Sequence, residues 1–190
     1  ISISGAVTVQ DSFVTAAQTI AILGDVSNQN PDGSIRIESS GTTSLGGSNL
    51  KIDADGEIVL RAGTYALGSG TLITGSATLT LESQSTAFTS MPVLTNLSLG
   101  TNISAFTFGK DSETGILYLN KAFKINGPIA VTAGTINLQA AQESTSVSAP
   151  VLIKSKGDIV TTGNGDVTTA GGDIVFWSNS DGNTVSGGRI

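Results

Sequence analysis

The chain contains no histidine and no cysteine. Zinc sites built from those ligands, thiol nucleophiles, disulfides and every triad with an imidazole base are therefore excluded. Aromatics are 5% of residues and charged side chains only 13%, with a single Trp and a single Met. A net charge of −6 and a pI near 4.4 repel phosphate, so nucleic acid is not expected as a partner. No apolar run approaches the roughly 18 residues needed to span a bilayer as a helix, and no membrane insertion is expected. A charged n-region followed by an apolar h-region is missing as well, so any signal peptide would lie upstream of Ile1.

What the 190 residues do hold is small and hydroxylated: 24 Gly, 24 Ser and 24 Thr. Mean hydropathy is +0.20, which separates the chain from ordinary disorder, where hydrophobicity is low and net charge high. The dominant local pattern is a short apolar alternation bounded by Gly, Asn, Asp or Ser: SIRIES, NLKIDA, EIVLRA, TLTLES, NLSLGT, AFTFGK, ILYLNK, IAVTAG, TINLQA and DIVFWS. Period 2 over about five residues marks a half-buried strand. Two segments, 14–22 (VTAAQTIAI) and 137–145 (NLQAAQEST), also admit short helices. Pro31-Asp32-Gly33, Asp55-Gly56, Asn126-Gly127-Pro128 and Asp181-Gly182 read as turns, each with a residue tolerant of positive φ.

The strands recur. Ile37, Leu60, Leu81, Leu99, Leu119, Leu138, Val160 and Phe176 are separated by 23, 21, 18, 20, 19, 22 and 16 residues, with weaker segments between them at Ile52, Ile73, Phe108, Val131, Ile153 and Val167. One strand-rich unit cannot bury its own apolar face, but stacked units share a continuous inner column. The reading is all-β: a parallel β-helix of about 20 residues per rung and about nine rungs, with a β-sandwich as the alternative. Scarce aromatics, uniformly short strands and turns, and small residues at the corners favour the solenoid. At ~4.8 Å per rung such a rod is about 43 Å long. Ile37, Leu60, Leu81, Leu99, Leu119, Leu138 and Phe176 are expected to face inward.

Residues 108–140 (FGKDSETGILYLNKAFKINGPIAVTAGTINLQA) and 157–190 (GDIVTTGNGDVTTAGGDIVFWSNSDGNTVSGGRI) resemble the repeat regions of large secreted bacterial adhesins, the filamentous-haemagglutinin-like proteins. The marked units are Gly157-Asp158-Ile159-Val160, Gly165-Asp166-Val167 and Gly171-Gly172-Asp173-Ile174-Val175-Phe176-Trp177. The resemblance implies an elongated right-handed parallel β-helix, located outside the cell or on its surface. NQNPDGSI (28–35) only echoes the NPN-type motif of the family's secretion domain, so that role is not carried over.

Candidate sites are few. Asp53, Asp55 and Glu57 flank a Gly turn and offer oxygen ligands of the kind Ca²⁺ takes, yet no EF-hand or nonapeptide pattern surrounds them, and a solvated turn is the preferred reading. Asn179-Ser180-Asp181-Gly182-Asn183 reads the same way. Each Gly-Asp unit is read as opening a strand after a corner, its Asp on a different face from the next. If Phe176 points inward, period 2 turns Trp177 outward, where its ring is a carbohydrate-stacking candidate. The expectation is a single β-helical segment over residues 1–190, part of a longer repetitive chain, acting as a stiff stalk or filament-forming solenoid. It is not expected to be an enzyme or to need a cofactor. Its expected partners are β-helix neighbours joined end to end, either the continuing chain or further copies in a homo-oligomeric filament, with host or surface glycans as further candidates. A carbohydrate-binding or carbohydrate-cleaving β-helix is the alternative.

Overall fold

The computed structural model describes residues 1–46, 50–90 and 92–182. All strand pairings among them are parallel, which removes the β-sandwich. The chain winds as a β-solenoid of about 8 turns with ~22 residues per turn. The sequence-based values of about nine rungs and about 20 residues were off by one turn and two residues.

The main face is a nine-stranded sheet of Ser2–Ile3, Ser12–Ile22, Ser34–Leu45, Glu57–Leu67, Thr78–Ser83, Ala105–Gly109, Ile129–Ala133, Val151–Ser155 and Ile174–Trp177, stacked in that order. A second sheet holds Val7–Val9, Val26–Asn28, Lys51–Ala54, Thr71–Thr74 and Leu97–Leu99. In the C-terminal half each turn adds two further short strands. These form one sheet from Ile116–Leu119, Thr135–Leu138 and Ile159–Thr161, and another from Phe123–Ile125, Gln142–Val147 and Val167–Ala170. A turn therefore has three sides around one apolar core, which runs from Ile20 to Ile159.

The registers show why the period looked short. Thr15, Ile37, Leu60, Leu81, Phe108, Val131, Ile153 and Phe176 form one inward column through successive turns of the main face. Stronger and weaker apolar segments of the sequence thus belong to the same column. Leu119 and Leu138 stack in a different sheet, and Leu99 lies in a third. Picking the boldest segment from each stretch stepped across faces and compressed the interval. Of the seven residues expected inside, Ile37, Leu60, Leu81, Leu119 and Leu138 are buried, while Leu99 and Phe176 are partly buried against the core. Val160 is an exception: its Cα partner is Asn137, on the outward side, and it is exposed.

The two segments that admitted helices are extended. Residues 14–22 lie within Ser12–Ile22, and 137–145 are split between Thr135–Leu138 and Gln142–Val147. Their Ala and Gln content favours helix, but neighbouring turns supply ladder bonds that override it. The small-residue corners are present. Ala17, Ser39, Ala62 and Ser83 stack where the main face bends, as do Ala133 and Ser155 further along, because a sharp inner corner has no room for a larger side chain.

Three of the four Gly turns use glycine for a different reason than expected. Positive φ occurs at Gly182, but not at Gly33, Gly56 or Gly127. There a Cβ would collide with the backbone of the turn below. On Gly56 it would lie 1.9 Å from the Gly33 carbonyl oxygen, and on Gly127 it would lie 1.7 Å from that of Ser104. Close stacking demands the missing side chain.

The turns are not short throughout. Leu81 and its partner Phe108 are 27 residues apart, because residues 84–90 and 92–93 are irregular and are followed by the 3-10 turn Leu94–Asn96. Phe88 on this segment packs between Tyr65 and Phe108, at ring-centroid distances of 5.8 and 6.1 Å. Phe106 and Phe123 continue the cluster. Five of the nine aromatic rings, Tyr65, Phe88, Phe106, Phe108 and Phe123, gather here and fill the core.

Candidate ligand groove beside Trp177

The three Gly-Asp units open strands as read: Asp158 precedes Ile159–Thr161, Asp166 precedes Val167–Ala170, and Asp173 precedes Ile174–Trp177, each in a different sheet. Asp53, Asp55 and Glu57 sit around the corner between Lys51–Ala54 and Glu57–Leu67 and turn to different neighbours. Asp53 pairs with Lys51 at 2.8 Å, Asp55 accepts from the Ser76 amide and hydroxyl one turn on, and Glu57 lies 3.5 Å from Arg36 one turn back. The ammonium beside Asp53 is itself held charged, the hydrogen bond and charge of that carboxylate raising the Lys51 pKa. No group of three or more potential metal ligands converges among the described residues.

Trp177 occupies a more structured place. The outward column of the main face reads Ala16, Glu38, Arg61, Glu82 in the N-terminal half. Further along it reads Gly109, Thr132, Lys154, Trp177. The first part is a charge ladder. Arg61 bonds Glu82, with Nε 2.7 Å from the carboxylate, and reaches Glu38 at 3.3 Å. The second part ends in an aromatic that is 50% exposed, with the Lys154 Nζ 5.2 Å from its ring centroid. A cation over the indole face holds the ring in place.

The corner next to this column is concave, and loop lengths explain why. One residue, Gly134, joins Ile129–Ala133 to Thr135–Leu138, and residues 156–158 join the next pair of strands. The turn before has the longer segment 110–115, and Trp177 is followed by residues 178–182. The two short corners thus lie between the 110–115 segment and residues 178–182. Gly134 permits the approach: a Cβ there would sit 2.1 Å from the Thr114 carbonyl oxygen. Asp111 leans from the lower rim to Lys154, two turns on, at 2.9 Å. The upper rim is fixed by amides of Asn179 and Ser180, which donate to the Gly157 and Ser155 carbonyls. Asn179 takes φ 54° and its carbonyl accepts from the Gly182 amide, so residues 179–182 form the expected turn; Asn183 lies outside the described residues, as does the remainder of the adhesin-like stretch to Ile190.

Two adjoining hollows result. One, of about 170 Å³, is lined by Asp111, Thr132, Lys154, Lys156, Ser180 and Asp181; the other, of about 330 Å³, by Thr114, Gly134, Thr135, Lys156, Gly157 and Asp181. Beneath the lower rim lies Glu113, buried, whose Oε1 accepts from the Gly115 amide at 3.4 Å and whose Oε2 meets no donor within hydrogen-bonding geometry among the described residues. Burial raises its pKa, opposed by bonds from Ser83 and Gly115 and by the charges of Lys110 and Lys156. Sequence reasoning found Trp177 but missed the groove residues, because they come together from four turns. The uneven connection lengths after each main-face strand were the one signal available.

The chain matches no family model, no curated protein and no solved structure.

Proposed function

We propose that the chain is a structural, adhesive segment of an extracellular or cell-surface protein, a stiff stalk or filament-forming solenoid and not an enzyme. The observation that supports this best is the unbroken main face: one inward column passes through eight successive strands, from Thr15 to Phe176. Backbone ladder bonds join each turn to its neighbours, so load along the axis is shared by every ladder bond at a level and bending is resisted on three sides. About 8 turns at ~4.8 Å give a rod of about 38 Å. The hydroxyl-rich surface keeps it hydrated, and the net charge of −6 opposes side-to-side association. The adhesin-like repeats support the same reading and the same location.

Its partners are β-helix neighbours, end to end. Among the described residues the main sheet ends at Ser2–Ile3 and Ile174–Trp177, and a strand added beyond either would continue the same parallel ladder. Sedimentation velocity across a concentration series tests this. Growth into linear assemblies is expected, abolished when Lys replaces Ile174 and Phe176 on the C-terminal edge. A clean monomer at every concentration overturns the end-to-end reading.

A further inference from the structure

We propose that the paired hollows beside Trp177 form a binding site for a neutral saccharide chain. The argument starts from charge. The groove presents two ammonium groups, Lys154 and Lys156, and two carboxylates, Asp111 and Asp181. An anionic ligand meets both aspartates and a cationic one meets both lysines. A neutral polyhydroxylated ligand is repelled by neither and uses both: its hydroxyls donate to carboxylates and accept from ammonium groups. The hydroxyls of Thr114, Thr132, Thr135 and Ser180 do either.

The second element is the ring. Trp177 stands next to Lys154 in the outward column, half exposed, and Lys154 covers part of it from the side of the preceding turn. An indole face beside a row of polar groups suits a sugar ring, whose C–H face is apolar and whose edge is hydroxylated. The third element is shape. The hollows share Lys156 and Asp181 and so run side by side around the corner, over the glycine floor of Gly134 and Gly157. That extended form fits several linked sugar units better than one compact ligand. The two hollows lie on the flank of the rod, while Trp177 belongs to the outermost described strand, Ile174–Trp177, so a neighbour stacked on that edge would lie beside the ring.

Trp177 is the single Trp of the chain and lies 5.2 Å from the Nζ of Lys154, a lining residue of the smaller hollow, so its emission senses changes there. The full chain is titrated with neutral oligosaccharides of glucose, mannose and galactose, and in parallel with uronate-containing and sulfated ones. A saturable change in emission is expected with at least one neutral series, growing with oligomer length, and none with the anionic series. Asp111→Ala removes a side chain that is 81% exposed and is expected to leave the fold intact. It should weaken binding by about tenfold, a loss of about 1.4 kcal/mol. Trp177→Ala, followed by calorimetry with circular dichroism as a control for folding, should abolish binding. No response to any neutral series, a response to anionic sugars alone, or unchanged affinity in Asp111→Ala overturns the proposal.

Discussion

Phe108 and Phe176 provide a controlled test of the stacking argument, because they are the same residue type in the same inward column. Phe108 is fully buried, has Leu81 below it and Val131 above, and lies within about 6 Å of two other rings, Phe88 at 6.1 Å and Phe106 at 6.2 Å. Phe108→Ala removes a complete side chain from a closed site and leaves a cavity, which costs about 3–5 kcal/mol. Two lost ring contacts place the value toward the upper end. Phe176 has Ile153 on one side and is only partly buried. Less area returns to water and the site is open to rearrangement, so Phe176→Ala should cost about 1–2 kcal/mol. Set against a stability of about 5–15 kcal/mol, the first loss is severe and the second modest. Urea unfolding followed by far-UV circular dichroism measures both, and Trp177 emission reports the last turn separately. In a chain of nearest-neighbour couplings, Phe108→Ala should also pull the two signals apart, since it weakens the middle of the solenoid. Costs equal within about 1 kcal/mol, or a larger loss at Phe176, would refute the idea that inward residues gain their stability from turns on both sides.

Glu113 supplies a pH test: its folded pKa lies above the ordinary 4.5, so the folded state holds the proton more tightly and stability falls as pH rises from about 4.5 through the raised value. Glu113→Gln should remove that fall, and thermal melts across this range should show the variant gaining on the wild type until the difference levels off; a constant difference contradicts the assignment. Gly56→Ala places a methyl 1.9 Å from the Gly33 carbonyl oxygen and should lower stability by about 1–3 kcal/mol in a urea titration, despite an ordinary φ at that position. A neutral effect there means that the turns separate easily. Excess EDTA should leave the melting temperature unchanged, because Asp53, Asp55 and Glu57 are engaged by Lys51, Ser76 and Arg36; a drop restored by Ca²⁺ contradicts this.

Period-2 alternation between small turn residues is a local property, and it marked most of the chain as β, while residues 14–22 and 137–145 also admitted helices until the stacked turns settled them as strands. Repetition determined the solenoid as well, since a unit with one apolar face must find its partner in the next unit. The absence of His and Cys removed whole chemistries without reference to any fold. Which apolar residues share a column was settled only by register. Phe108 and Val131 belong with Leu60 and Leu81, while the equally regular Leu119 does not, because faces alternate along the chain at intervals that spacing alone cannot label. Glycine shows the same division. Its presence at Gly56 and Gly127 was visible, but its cause, a carbonyl of the adjacent turn, comes from residues about 23 positions away. The groove is the extreme case. Asp111, Lys154 and Trp177 come together because connections of unequal length stack on one corner, so a groove whose residues lie between Asp111 and Asp181 exists only once the turns are in place.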